Sequence, residues 1–237
     1  MNILCTICMR GGSKEIVNKN IKKIGGKPLM SYTISQALKS KLFNLVMVST
    51  DSKKLFNCAV KYGATGWFLR PKKLATDDSV FMPTMRHALE KAEKLKKKKF
   101  DIIFNLHVTA PLRNINDIKN SYEQFINEKS NKLISVTPCK RNPYFNMVEK
   151  VNNKVQLVKK NKKKIGRRQD APHVFDMNAS IYIWTRKELL KKNSKYDNKT
   201  SLYIMPAERS IDIDSLFDWK LVEHILKKKN EKTKLFK

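Results

Sequence analysis

The chain is 237 residues long and sets 50 lysines and arginines against 21 aspartates and glutamates, a formal net charge of +29 at pH 7. That length fits one α/β domain with an appended arm, and no apolar run reaches the roughly 18 residues a bilayer-spanning helix needs. The cation excess raises nucleic acid and anionic membranes as partners. However, only nine of the basic residues are arginine, and the lysines fall in tracts (96–99, 159–164, 227–229) with few aromatics between them. This is the pattern of a solvated surface rather than of base-edge readout.

In chain order, the apolar run 3–8 predicts a first strand, entered without a charged leader or a small-residue cleavage site. A soluble cytoplasmic protein is expected. The four cysteines, Cys5, Cys8, Cys58 and Cys139, are sparse and scattered, which fits a reducing compartment. Cys5 and Cys8, three apart on one strand, face opposite sides of a sheet and do not readily share a metal. Next come a helix over 31–39, a strand over 45–50, a helix over 53–62 and a larger helix from about 80 to 95. That larger helix carries Phe81, Met85, Ala88, Leu89, Ala92 and Leu95 on one face. A strand over 100–108, a helix over 116–128 and a strand over 133–138 complete the rhythm of βαβ units. The expectation is a mostly parallel sheet flanked by helices, with the ligand site at the carboxyl ends of its strands.

Between 139 and 175 the pattern changes. Segments 144–150 and 154–159 flank the turn-like 151–153, as in a hairpin, and a basic stretch, 159–168, follows; this is the candidate arm. Alternation resumes with a strand over 179–184, a helix near 186–192, strands over 202–205 and 211–213, and a closing helix from 215 to about 228.

Chemistry-bearing residues gather in a few places. After the first strand, Arg10-Gly11-Gly12-Ser13-Lys14 with Lys19-Asn20 brings small residues, backbone amides and cations together, an anion cradle that matches neither the P-loop nor the dinucleotide fingerprint. Arg70 ends a strand, and Thr76-Asp77-Asp78-Ser79 opens the large helix, whose amino terminus favours an anion. Arg167-Arg168-Gln169-Asp170 closes the arm with paired guanidinium groups suited to a carboxylate or phosphate. Ser210-Ile211-Asp212-Ile213-Asp214 puts two carboxylates on one face of an expected strand. Two readings stand there: a Mg²⁺ site shared with substrate phosphates, or Asp214 as the cap of the last helix. His107 ends an apolar strand just before Thr109-Ala110-Pro111-Leu112-Arg113, where either a ligand contact or packing would place it.

Taken in order, these motifs, together with Gly26-Lys27-Pro28-Leu29, Val48-Ser49-Thr50-Asp51-Ser52, Arg70-Pro71, Leu74-Ala75-Thr76-Asp77 and Asn178 with Ile181-Tyr182-Ile183, resemble the acylneuraminate cytidylyltransferases over nearly the whole chain. The resemblance implies a Rossmann-like three-layer nucleotidyltransferase fold that transfers CMP from CTP to a nonulosonic (sialic-acid-like) acid. Arg10, Gly12, Ser13, Lys14, Lys19, Asn20, Arg70 and Ser79 would hold the nucleotide, and Asp212 and Asp214 would hold Mg²⁺. His107, Arg167, Arg168, Gln169 and Asn178 would meet the sugar, with Arg10, Lys14, Lys19 and Arg168 taking part in catalysis. A homodimer is implied, the 139–175 arm of each subunit helping to complete its neighbour's site.

Three departures bear on the substrate: Glu15 stands where the family loop has glycine, His107 where sialic acid enzymes have a sugar-contacting glutamine, and Asp176 where a sugar-binding arginine precedes Asn178. The alternatives are a nucleotidyltransferase acting on another sugar acid or a sugar phosphate, a catalytically lapsed dimeric scaffold, and a basic nucleic-acid-binding protein.

Overall fold

The computed structural model of the chain describes residues 1–13, 15–76, 81–161, 165–192 and 196–235. Six strands form one sheet in the order β10-β6-β9-β5-β1-β4. They are β1 (Ile3–Cys8), β4 (Leu45–Ser49), β5 (Ile102–Leu106), β6 (Lys132–Pro138), β9 (Phe175–Thr185) and β10 (Thr200–Ile204). β1 pairs in parallel with β4 and β5, and β10 with β6. The long β9 runs antiparallel between β5 and β6, the one antiparallel strand, among the described residues, in a sheet expected to be mostly parallel. This placement could not be read from alternation, because β9 arrives only after the arm.

Helices cover both faces, which is why β4 and β5 are buried at every residue and read as continuous apolar runs rather than alternating ones. On one face, α1 (Leu29–Ser40), α2 (Lys53–Lys61), α4 (Ile115–Asn127) and α6 (Leu216–Leu235) pack Leu29, Ile34, Leu55, Ile118 and Val222 against Cys5, Ile7, Val48 and Phe104. On the other, α3 (Phe81–Lys96) and α5 (Arg186–Leu190) pack Met85, Ala88, Leu89 and Leu189 against Leu4, Met47 and Ile103. The expected apolar stripe of the large helix is thus the second core, and Cys5 and Cys8 do fall on opposite faces. Truncating a fully buried side chain such as Met85 to alanine costs about 2–5 kcal/mol.

Two short hairpins lie outside the main sheet: β2 (Lys23–Ile24) with β3 (Lys27–Pro28), and β7 (Val148–Val151) with β8 (Lys154–Leu157). The second lies where the arm hairpin was expected. Its two-residue turn, Asn152-Asn153, has φ of 49° and 62°, the left-handed pair such a turn needs and that asparagine tolerates. The expected strand over 211–213 does not form; those residues run as irregular chain from the carboxyl side of β10 to α6. Among the described residues no helix is long and apolar enough to cross a membrane, and the lysines at 96–99 and 159–160 are exposed.

Candidate active site

The site begins where β1 ends. Met9 donates its amide to the Ser49 carbonyl at 3.0 Å, and Arg70 donates its own amide to Thr50 at 2.8 Å. The Arg70 side chain is buried; its Nη2 donates to the Met9 carbonyl at 3.0 Å and lies 3.9 Å from Asp51. Arg70, expected at the nucleotide, therefore also braces the loop beneath it. The Gly11 amide donates to Asp51 Oδ1 at 2.9 Å, and a Cβ at Gly11 would meet Ser52 Cβ at 3.1 Å, so the loop presses on the next strand end as closely as glycine permits. A Cβ at Gly12, by contrast, would meet nothing within 4 Å; that side of the turn opens into a cavity. Asn20 closes the loop by donating Nδ2 to the Arg10 carbonyl at 3.1 Å.

That cavity, about 440 Å³, is lined by Arg10, Gly12, Ser13, Glu15, Lys19 and Asn20 of the turn, by His107, and by Asp214 and Ser215 of the acidic segment; Glu15, which stands where the family loop has glycine, thus puts a carboxylate among the cations. A second hollow of about 290 Å³ shares Arg10 and His107 with it and adds Arg70, Thr76, Phe81 and Thr84. The glycine-bearing turn and the acidic segment thus meet across one space. Their link is Lys19, whose Nζ donates to the Ile213 carbonyl at 2.6 Å and to Asp214 Oδ1 at 3.3 Å. Ile213 is further fixed by its amide, which donates to the Thr109 carbonyl at 2.9 Å. Because the chain here is irregular, strand alternation does not aim the two carboxylates; these tertiary contacts do.

Asp212 is largely withdrawn from water and its Oδ1 is buried without a partner among the described residues. Burial pushes its carboxyl up to about 6, a hydrogen bond from Thr109 opposes this, and the neighbouring Asp214 charge adds to the rise. Asp214 is exposed. It does not cap the last helix: Ser215 and Asp218 do, the Ser215 amide donating to Asp218 Oδ2 at 2.8 Å and the Asp218 amide to Ser215 Oγ at 3.2 Å. The capping alternative therefore falls, and Asp214 is left facing the cavity.

His107 continues β5, its amide donating to the Ser180 carbonyl at 3.1 Å. Its ring stacks on Phe81 at 5.6 Å and meets Tyr182 edge-on at 5.0 Å. Nε2 is buried without a partner among the described residues. Burial, with the Arg113 charge behind it, pushes the imidazole down to about 4, so at neutral pH it is an uncharged donor and acceptor. Beneath it the buried Arg113 guanidinium donates to the Ser180 carbonyl at 2.8 Å, Thr33 Oγ1 at 3.1 Å and Gln36 Oε1 at 3.1 Å.

Other expected site residues lie elsewhere. Asn178 is buried with both ends of its amide engaged, Oδ1 by Ser135 at 2.6 Å and Nδ2 by Ser210 at 2.9 Å; in this conformation it joins β6 and β9 to the acidic segment instead of facing the cavity. Arg167, Arg168 and Gln169 are exposed on the arm and do not line this cavity. Arg167 pairs with Asp170 at 3.2 Å, and Arg168 donates to the Cys139 carbonyl at 2.9 Å. Lys14 and Ser79 lie outside the described residues. Sequence reasoning gave no role to Asp51, Thr109 or Arg113; the signal for each was a polar residue at a strand's carboxyl end or just beyond it.

Comparison with known proteins gives the family and the fold. The model of the cytidylyltransferase family matches residues 4–234. The CMP-N,N'-diacetyllegionaminic acid synthase of Campylobacter jejuni is 45% identical over 234 residues, covering 99% of each chain. The post-translational flagellin modification protein B of Campylobacter coli is 43% identical with the same coverage. Among solved structures, a CMP:2-keto-3-deoxy-manno-octonic acid synthetase complexed with CTP superposes with a TM-score of 0.70 at 14% identity, covering 97% of this chain and all of the other, a likeness of fold. A glycine-bearing turn after the first strand, an acidic segment brought back to it from residues 212–214, and a family match over residues 4–234 lead to one assignment: the chain belongs to the cytidylyltransferase family.

Proposed function

We propose that the chain transfers CMP from CTP to a nonulosonic acid. The anomeric hydroxyl of the acid attacks the α-phosphorus of CTP; the new O–P bond forms as the α–β phosphoanhydride bond breaks, pyrophosphate leaves and the hydroxyl proton passes to solvent. The observation that carries this reading is the single cavity shared by Arg10, Gly12, Ser13, Lys19 and Asp214. Arg10 and Lys19 line it from the turn, together with the Glu15 carboxylate, and Asp214 lines it from the acidic segment. Catalysis of this kind rests on positioning and charge neutralisation and needs no covalent enzyme intermediate. Arg10, Lys14 and Lys19 would face the phosphates, with Ser13, Asn20, Arg70 and Ser79 completing the nucleotide site.

The orphaned Asp212 oxygen beside the exposed Asp214 carboxylate fits a hard divalent cation that completes its shell with water and substrate oxygens, so these two residues would hold Mg²⁺. When bound, the ion supplies charge neutralisation at the phosphates and lowers the pKa of a coordinated hydroxyl.

The relative from Campylobacter jejuni supports a di-N-acylated, legionaminate-type acid as the substrate. His107 fits that reading: a neutral imidazole presents one donor and one acceptor, as the glutamine amide of sialic acid enzymes does. The arm is taken to act in trans in a cytoplasmic homodimer, bringing Arg167, Arg168 and Gln169 to the neighbour's sugar. Exposed Val148 and Val155 on the hairpin and exposed Leu202 and Ile204 on β10 supply apolar surface for that contact.

The test is pyrophosphate release from purified protein with Mg²⁺, each nucleoside triphosphate in turn and a panel of nonulosonic acids. Turnover with CTP and a nonulosonic acid, lost on Arg10→Ala and Asp212→Ala, is expected; turnover with a sugar phosphate instead would overturn the assignment. Sedimentation of wild type and Ile204→Asp tests the dimer, which the charge should split.

A further inference from the structure

Between Met205 and Ser215 the chain makes one 3-10 turn, Ala207–Arg209, and then carries both acidic residues through irregular chain, so something other than backbone regularity must fix their spacing. Upstream of Asp212 the firmest contact is charged. Arg209 lies three residues before Asp212, and its guanidinium forms a fork on Asp117, Nε to Oδ2 at 2.9 Å and Nη2 to Oδ1 at 2.8 Å. Asp117 is 1% exposed and itself fixed, since its Oδ2 accepts the Asn114 amide at 2.9 Å in the capping box of α4. That helix packs against α1 and β9. The acidic segment is therefore fastened, three residues before its first carboxylate, to a rigid element of the core.

We propose that Arg209, through its fork on Asp117, is a positioning residue that sets the geometry of Asp212 and Asp214 for a divalent cation bound together with the nucleotide. This rests on the reading of those two carboxylates as metal ligands. A bidentate pair fixes direction as well as distance. A lysine in its place keeps the charge and loses the fork, leaving the loop free to pivot about one contact. Metal ligands tolerate little such freedom: losing an outer partner of a ligand typically weakens metal binding 10- to 100-fold.

The experiment is Mn²⁺ titration of the full chain in the presence of α,β-methylene CTP, read by electron paramagnetic resonance. It compares wild type, Arg209→Lys, the double variant Arg209→Met with Asp117→Asn, and Asp212→Ala. The double variant removes the buried charge along with its partner, so its fold is not burdened by a lone carboxylate. Both Arg209 variants should bind Mn²⁺ about tenfold more weakly, with folded circular dichroism spectra and unchanged metal-free binding of the nucleotide analogue. Wild-type Mn²⁺ affinity in the two Arg209 variants overturns the positioning role, as does a parallel fall in metal-free nucleotide binding. If Asp212→Ala also binds Mn²⁺ like wild type, the metal reading itself fails; if it binds weakly while the Arg209 variants do not, only the role of Arg209 is lost.

Discussion

The Lys19 ammonium lies 3.3 Å from the Asp214 carboxylate, a contact between residues 195 positions apart in the chain. Lys19 is largely covered and Asp214 largely exposed, so the pair contributes no more than about 1 kcal/mol to stability. Its weight falls on the site. Lys19→Met should leave the thermal midpoint within a few degrees of wild type while lowering kcat/KM for CTP by on the order of 10²-fold, the usual loss when one charge-stabilising group is removed. Calorimetry beside a pyrophosphate assay checks both halves. A variant that retains full turnover removes Lys19 from the chemistry.

Asp212 should trade stability for function. Its buried, unpartnered oxygen means that folding strips water from a carboxylate and returns too little. The raised value, about 6 against 3.8, shows the sign: the folded chain holds the proton more tightly, so at pH 7 the ionised group works against the fold. Asp212→Asn should stabilise the metal-free protein at pH 7.5 by about 1–3 kcal/mol and abolish most turnover. Thermal melts with and without Mg²⁺ test this; a destabilised variant contradicts it.

His107 gives a pH signature of the opposite kind. The folded chain keeps the imidazole neutral down to about 4, against 6.5 for a free histidine, so between those values the unfolded chain binds the extra proton. Stability from this group is complete above pH 6.5 and is lost as pH falls toward 4, by up to about 3 kcal/mol. His107→Gln should flatten that slope in urea melts while keeping most activity toward the sugar acid. His107→Ala should raise the KM for the sugar acid about 10-fold or more, having lost the polar group.

Neighbouring glycines should answer differently. Gly11→Val drives a side chain into Ser52 and should cost about 1–3 kcal/mol by overpacking. Gly12→Ala meets no protein atom within 4 Å, so its melting should match wild type while its KM for CTP rises, because the added methyl stands in the nucleotide's space. Equal melting and equal kinetics in Gly12→Ala would place the nucleotide elsewhere.

Much of this was legible from residues alone. The two cores follow from the helical stripe of Phe81 to Leu95 and from the continuous apolar strands, because local periodicity reports burial directly. The meeting of Arg10-Gly11-Gly12-Ser13 with Asp214 was implied by the family resemblance, not by spacing. What stayed hidden depends on contacts distant in sequence. The insertion of β9 between β5 and β6 is decided by pairing across the sheet. The alternation in Ile211-Asp212-Ile213-Asp214 resembled a strand, yet Lys19, Thr109 and the Ser215–Asp218 cap take up the groups that a ladder would have used. Asn178 was legible as a polar residue at a strand's start, but not as one already satisfied by Ser135 and Ser210.

The bond from Lys19 to Ile213 spans 194 residues, and it sets when the turn and the acidic segment can meet around the cavity. Loops this long close late, after local elements have formed, because the chain must lose the entropy of all the intervening residues before the contact repays it. A nascent polypeptide emerging from the ribosome can build β1, its turn and the first helices, yet it lacks the acidic segment until Asp212 and Asp214 have emerged. Binding of metal with nucleotide thus requires synthesis past Asp214, and a product truncated before Asp212 should fold in part and bind neither.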